Sequence, residues 1–402
     1  MDDKQKIVRP NFYDRFTCIA DQCPLTCCQE WKIAVDDTAY ERWKRTALPD
    51  GRTLSEHTTS RDGQRVIALN KRGRCPFLDE KMLCKLVLVY GDEMLSKTCA
   101  VFPREVHEFD DRVECALTPC CPAVIDLLRE QNTFVLCETG TYETDSDPEL
   151  HGDAKEALLY RVRELFCRLI QRETGSVEQN LLVIFYIALD LLEAWEQGER
   201  VEEKLALYQT GQALTKLEAA VAEAEGELLF TLEERNELFL DLAVNYRKEG
   251  LYQSYLEPAA RLAEDLESVY GEEGSREEQE ALLQRYGAFE RDMQPYGMLF
   301  RNLLAGELYA ECLLPGYTLQ DMAVKLQWIA MEYAVIRQVL FLLWQEEKSI
   351  SYETIRDEMV VIFRMTGYDD DDIVEYLENS FKSLIWDWGY FALVVGTETE
   401  RE

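Results

Sequence analysis

Residues 11–31 read NFYDRFTCIADQCPLTCCQEW, and the spacing within them, Cys18-x4-Cys23-x3-Cys27-Cys28, decides how the rest of the chain is read. The run belongs to a larger collection. Cys75 and Cys84 bound CPFLDEKMLC, Cys99 lies in SKTCAVFPRE, Cys115 follows, and Cys120-Cys121 stand in LTPCCPAV. Of the 13 cysteines, 11 precede residue 138, and Cys23, Cys75 and Cys121 each stand directly before proline. Thiolates are soft ligands, so a collection of this kind points to a bound metal or an iron–sulfur cluster.

The chain has 402 residues, 47% of them hydrophobic, which allows one to three domains and an ample core. Its start, MDDKQKIVRPNFYDRF, lacks the apolar run of a signal peptide. The most apolar stretch, Trp328–Trp344, is interrupted by Glu332 and Arg337, so no membrane span is expected. A cytoplasmic location follows by default, and there cysteines stay reduced and read as metal ligands before disulfides. Net charge is −34, unevenly spread: residues 1–150 carry 20 basic and 27 acidic side chains, leaving 23 and 50 for the remainder. Such a field repels nucleic acid and draws in basic partners, a lysine-bearing protein among them. A monomer is expected.

The texture implies a mainly α fold: a cysteine-rich, metal-stapled region at 1–140 with short helices and minor β, a linker or long loop at 141–154, and an α-helical domain at 155–402. In the first part Arg65–Leu69 reads as a short strand and Glu108–Ala116 as a hairpin turning at Asp110-Asp111. Asp36–Arg45, Leu83–Val89 and Ala123–Glu130 read as short helices. Later, Ala154–Glu173, Glu178–Gln197, Val201–Glu225 and Thr231–Glu249 carry apolar residues at helical spacing, with a capping box at Thr231–Glu234. Thr318–Asp321 opens a further helix through Trp344, apolar nearly all round and therefore central and buried. Ser351–Met365 and Asp370–Trp386 complete the set. The acidic run Asp369–Asp372 lacks the alternating ligands and glycine of a calcium loop, and reads as carboxylates opening a helix.

Zinc takes thiolate and histidine together, but His57, His107 and His151 are not spaced with the cysteine pairs, and no C-x2-C knuckle is present. A cubane tolerates wider spacing, and cysteine before proline matches the C-P of ferredoxin-type runs, so a 4Fe-4S cluster is favoured with zinc as the alternative. Cys137, Cys167 and Cys312 sit in apolar surroundings and read as inert buried thiols. The candidate ligands are Cys18, Cys23, Cys27, Cys28, Cys75, Cys84, Cys99 and Cys121. Eight are too many for one cubane and enough for two.

The N-terminal run, CPFLDEKMLCKL, GDEMLSKTCAVFPREVHEF and CCPAV together resemble the flagellin lysine-N-methylase family, within a wider group of cysteine-cluster zinc or iron chelators. The likeness is specific over residues 10–125 and weaker in NYRKEGLYQSYLEP and LLPGYTLQDMAVKLQWIAMEY. The first spacing departs from the wider group's C-x2-C-x2-C-C but suits the methylase branch. Cys120 stands where a serine is expected before the final cysteine, which leaves Cys120 and Cys121 as alternatives. The resemblance implies an S-adenosylmethionine-dependent enzyme that N-methylates lysines of flagellin and carries a cubane bound by cysteines. The residues alone show no donor site: the G-x-G turn of common methyltransferases and the C-x3-C-x2-C loop of radical enzymes are both missing.

Lysine, with a pKa of about 10.4, must lose a proton before it attacks a methyl sulfonium. A carboxylate or tyrosine could accept that proton, and aromatic faces could hold the cationic donor. Near the cysteines, Tyr13, Asp14, Phe16, Trp31 and Arg104 are available. Arg104 is a candidate to hold the donor's carboxylate or neutralise cluster charge, and Tyr13 to touch the ligand. The plainer readings are a structural ion pair and a core ring. The rival to an enzyme is a non-enzymatic zinc- or iron-binding module whose acidic helices dock a basic protein; an electron carrier is a third class.

Overall fold

The computed structural model describes residues 4–48, 51–61, 63–143, 154–224, 226–271, 274–367 and 369–397. The cysteine-rich part holds strands β1 (Lys4–Pro10), β2 (Thr58–Arg61), β3 (Gln64–Ile67), β4 (Arg104–Glu108), β5 (Arg112–Leu117) and β6 (Leu136–Glu143). Its helices are short: α1 (Asp37–Lys44), α2 (Lys85–Tyr90), α3 (Lys97–Val101) and α4 (Pro122–Arg129). The hairpin β4–β5 turns at Asp110-Asp111 as the sequence indicates, with Glu108 opposite Val113. β1 pairs parallel with β5 and antiparallel with β6, giving a sheet ordered β4-β5-β1-β6. Most of the expected 141–154 linker lies outside the described residues; β6 runs through its first three positions.

Helices α5 (Ala154–Ile170), α6 (Val177–Glu196), α7 (Val201–Gln209), α8 (Gln212–Ala222), α9 (Leu228–Glu249) and α10 (Gln253–Tyr270) follow. After them come α11 (Arg276–Met293), α12 (Gly297–Ala310), α13 (Leu319–Glu347), α14 (Tyr352–Thr366), α15 (Asp370–Phe381) and α16 (Trp388–Val395). Two expectations need correction. The single helix over Val201–Glu225 is two, because Gly211 adopts φ +96°, which the right-handed helix does not admit. α9 begins at Leu228, where Leu228 and Leu229 pack on the core, so Thr231 is buried inside the helix and caps nothing. The Thr318 cap is present: the Asp321 carboxylate accepts the Thr318 N–H at 2.7 Å, and the threonine hydroxyl accepts the Asp321 N–H at 3.3 Å. Asp369 likewise caps α15, accepting from the Asp372 N–H at 3.1 Å.

α13 is the axis of the helical part, packed by α6, α9, α14 and α16. Among the described residues it alone is long and apolar enough to cross a membrane, and 94% of that window is buried within the protein. The main apolar core joins both parts of the chain, from Phe12, Leu25 and Val124 to Phe166, Leu304 and Phe341. A smaller core gathers Ile33, Trp43, Leu54, Cys75, Phe77 and Leu86, and Trp31 packs against both. Polar ties cross the same boundary. Buried Glu114 on β5 accepts from Arg163 on α5 at 2.6 Å and is approached by Arg112 at 2.8 Å. Arg163 also donates to the Tyr309 carbonyl on α12 at 2.9 Å. Replacing Arg163 with methionine strands a buried carboxylate that Arg112 compensates only in part, so equilibrium denaturation of R163M should show a loss of about 3 kcal/mol. A change within experimental error would mean this tie does not join the sheet to the helices.

Candidate functional site

The cysteine loops are shaped by local hydrogen bonds. Between Cys75 and Cys84, Asp79 accepts the N–H groups of Lys81 and Leu83 at 2.8 Å each, and Leu78 bridges Cys84, which closes a tight turn. The Cys75 N–H donates to the Cys28 carbonyl at 2.8 Å, tying this turn to the N-terminal run. Cys84 and Cys121 occupy the N-cap positions of α2 and α4 without a side-chain cap hydrogen bond, and the backbone N–H groups of the following turn lower both thiols against the larger effect of burial. The N–H groups of Phe77 and Leu25 act on Cys75 and Cys23 in the same way. Donors aimed at sulfur favour the thiolate, the form that binds metal.

The eight candidate cysteines fall into two neighbourhoods. Burial raises Cys75 most, and the charges of Cys28, Cys99 and Cys84 add to it. Cys99 is pushed up to about 11 by burial, with Cys28 and Cys84 contributing. Cys28, Cys75, Cys84 and Cys99 thus share one neighbourhood, at the smaller core. The second holds Cys18, Cys23 and Cys121: burial raises Cys23 with help from Cys18, and lifts Cys121 to about 11 with help from Cys23. Cys27 lies beside the first group; its thiol donates to Cys28, which raises Cys27 and lowers Cys28. The donor set fits a thiolate-bound metal in its chemistry, soft sulfur ligands gathered in two neighbourhoods. Among the described residues no three Cys, His, Asp or Glu side chains converge on a common point. All cysteines are free thiols.

Between the two neighbourhoods stands Arg364 of α14, which nothing in the sequence singled out. Its guanidinium donates to the carbonyls of Leu25 (2.8 Å), Thr26 (3.4 Å) and Cys120 (3.0 Å). It also lies 4.9 Å from the Trp31 ring. Arg104 and Tyr13 are elsewhere: Arg104 stacks over Tyr13 at 5.7 Å and over Phe16 at 4.9 Å, and Tyr13 bonds to Cys115.

Against Arg364 opens a cavity of about 740 Å³, within the size range of small-molecule sites. Its walls come from both parts of the chain: Trp31, Phe102, Glu105 and Cys120 from the first; Tyr252, Glu307, Glu311, Lys325, Trp328 and Glu332 from the second. Burial pushes Glu332 up to about 8, against the hydroxyl of Thr366, which donates to it at 2.6 Å. Burial also lifts Glu105 to about 8, with Glu311 adding to the rise, and raises Glu307 well above the usual carboxylate range. Lys325 is held by Asp370 at 2.7 Å and by Glu311 at 3.4 Å. Glu332 had a visible signal, a lone acid in the most apolar stretch of the chain. Glu105 and Glu307 had none, since only the fold brings them together.

A helical body built around α13, a cysteine-rich sheet region clamped to it, and an acid-lined cavity at the junction make this a mainly helical protein with a thiol-rich N-terminal region. The family comparisons name it. Residues 163–394 match the FliB lysine N-methylase C-terminal domain and residues 17–122 the CxxCxxCC zinc- or iron-chelating domain. The first match spans more than half of the chain, which therefore belongs to the FliB lysine N-methylase family and is a protein-lysine methyltransferase. It is similar to the lysine-N-methylase of Salmonella typhimurium, 26% identical over 82% of this chain and 84% of that protein. The lysine-N-methylase of Salmonella choleraesuis is 25% identical over the same shares. The flagellar biosynthetic protein FliU of Salmonella muenchen is 30% identical over 35% of this chain and 87% of that protein. No solved structure matches.

Two outcomes follow from this geometry. Arg364→Ala removes the clamp from both cysteine loops, so alkylation of metal-free protein should reach Cys120, whose buried thiol is raised well above its ordinary value. Equal Cys120 labelling in variant and parent, read by mass spectrometry, would deny Arg364 that role. Glu332 has a folded-state pKa raised to about 8 from 4.5. Its contribution to stability is therefore full below about pH 4.5 and is lost as pH rises through 8. Urea midpoints of Glu332→Gln at pH 5.5 and 8.5 should differ less than those of the parent, with the variant gaining as pH rises.

Proposed function

We propose that this protein transfers methyl groups from S-adenosylmethionine to lysine side chains of flagellin, with a 4Fe-4S cluster held by its cysteines beside the transfer site. One observation carries the reading: the wall of the carboxylate-lined cavity includes Trp31 and Cys120, so the cysteine loops border a large space that joins the two parts. Membership in the FliB family supports lysine as the acceptor. The flagellar name of the FliU relative supports flagellin as its carrier. A cytoplasmic location suits the reduced thiols.

Four thiolates satisfy one cubane, and Cys28, Cys75, Cys84 and Cys99 are the set we assign to it, with Cys27 adjoining. Cys18, Cys23 and Cys121 form a second, three-thiol group. When bound by the four thiolates, the cluster would supply a redox-active centre of net negative charge. The chain's own residues do the rest. Aromatic faces of Trp31, Phe102 and Tyr252 suit a cationic sulfonium. Arg104, with Tyr13 and Phe16 beneath it, is not among the residues lining this cavity; the thiol beside Tyr13 is Cys115.

Anaerobically purified protein is incubated with labelled S-adenosylmethionine and flagellin, with iron and zinc quantified. Label on flagellin lysines, lost together with iron in Cys75→Ser, is expected. Label without iron would remove the cluster from the reading, stoichiometric zinc would replace it with a zinc staple, and no label with iron intact would point to a binding module.

A further inference from the structure

The cavity holds an excess of acid that its own cations do not answer. Lys325 is engaged by Asp370 and Glu311, and Arg61 by Glu249 at 2.8 Å. Arg364 is spent on backbone carbonyls. This leaves Glu105, Glu307 and Glu332 around the inner space without a cationic partner of their own. Glu332 is satisfied by the Thr366 hydroxyl, and Glu105 by a hydrogen bond shared with Glu311. Glu307 differs. It is 7% exposed, lines the cavity, and has no hydrogen-bond donor among the described residues; its neighbours act on it through charge alone. Burial therefore holds it neutral unless a cation in the cavity meets it. Trp31, Tyr252 and Trp328 line the same cavity, and aromatic rings attract alkylammonium groups.

We propose that this cavity is the subsite for the target lysine, with Glu307 facing the ε-ammonium and accepting its proton before methyl transfer. The inference rests on the lysine-methylation reading above and assigns its acceptor side. The ε-ammonium gives a proton to the Glu307 carboxylate, leaving a neutral amine. The nitrogen lone pair then forms the new N–C bond to the donor methyl as the C–S bond breaks, and that bond's electron pair returns to sulfur as a neutral thioether. The nitrogen leaves as a methylammonium, and the proton on Glu307 passes to water on product release. Glu105 on β4, Glu311 just past the end of α12, and Lys325 and Glu332 on α13 act on the same carboxylate through charge and set when it is ionised. Entry of an ammonium favours the ionised form, so the cation creates the base that deprotonates it.

The test has two arms on the full chain. The first follows binding of n-butylammonium chloride by the fluorescence of Trp31 and Trp328, with n-butanol as the neutral control. The parent should bind the cation and not the alcohol, and Glu307→Gln should bind it at least tenfold more weakly. The second follows methyl transfer to flagellin against pH. Parent rates should level off once the carboxylate is ionised. Glu307→Gln should lose on the order of 100-fold at pH 7 and regain rate about tenfold per pH unit toward 10, because only lysine deprotonated in solution reacts. Glu307→Asp should recover part of both, and circular dichroism checks the fold of each. Unchanged cation binding in Glu307→Gln, or a parental pH profile, overturns the assignment. A parent that binds n-butylammonium but transfers no label retains the cation site and sinks the methylation reading instead.

Discussion

One guanidinium ties both cysteine runs to the helical part of the molecule. Arg364 is buried on α14 and has carbonyl oxygens, not a carboxylate, as its acceptors. A planar group with five donors can meet three carbonyls and a ring face together; an ammonium cannot. Its acceptors lie in the two cysteine runs, at Leu25 and Thr26 and at Cys120, so the position of one run relative to the other depends on a residue more than 200 positions later. Its charge also reaches sulfur. It lowers Cys23 and Cys121, opposing the larger effect of burial, and so favours the anionic ligands a metal needs.

α13, apolar nearly all round, carries Lys325, Glu332 and Arg337 in buried positions. A helix buried on all sides gains most from uniform apolar packing, and each charge on it is expensive unless paired. Arg337 has Glu290 as its partner. Lys325 and Glu332 instead turn toward the space bounded by the cysteine loops, where Asp370, Glu311 and Thr366 answer them. The Asp369–Asp372 run has a double use here: Asp369 caps α15, and Asp370 supplies the counter-charge to Lys325.

Much of the architecture was legible because it is local. Periodicity placed α5, α6, α13 and α14 close to their ends, and the Asp110-Asp111 turn marked the β4–β5 hairpin. Pairing of β1 with β5 and β6 was not legible, since partners more than 100 residues apart leave no local pattern. α10, α11 and α12 were also missed; Pro258 inside the first of them and the acid-rich start of the second blur the helical signal. For the site, cysteine spacing announced a ligand set but not its division, because Cys27 and Cys28 are adjacent in sequence while the groups form through Cys75, Cys84 and Cys99 on one side and Cys121 on the other. Arg104 and Tyr13 were picked for nearness to cysteines in the chain; the fold stacks them on each other and turns to Arg364 for the junction.

The acidity of the chain acts on two length scales. Over its surface a net charge of −34 raises the local concentration of lysine-bearing protein without choosing among lysines, and salt screens it within about 8 Å at physiological strength. Inside the cavity the carboxylates lie in low dielectric, where their effect on an ammonium is far larger and hardly screened. Neither scale distinguishes one lysine from another, since both respond to charge alone. On the reading that Glu307 takes the lysine, selection rests on whether the side chain can enter this space extended; its exposed lining includes Arg61, Glu249 and Asp372. A lysine on a mobile or protruding segment meets that condition; one packed along a helix by its own aliphatic stem does not.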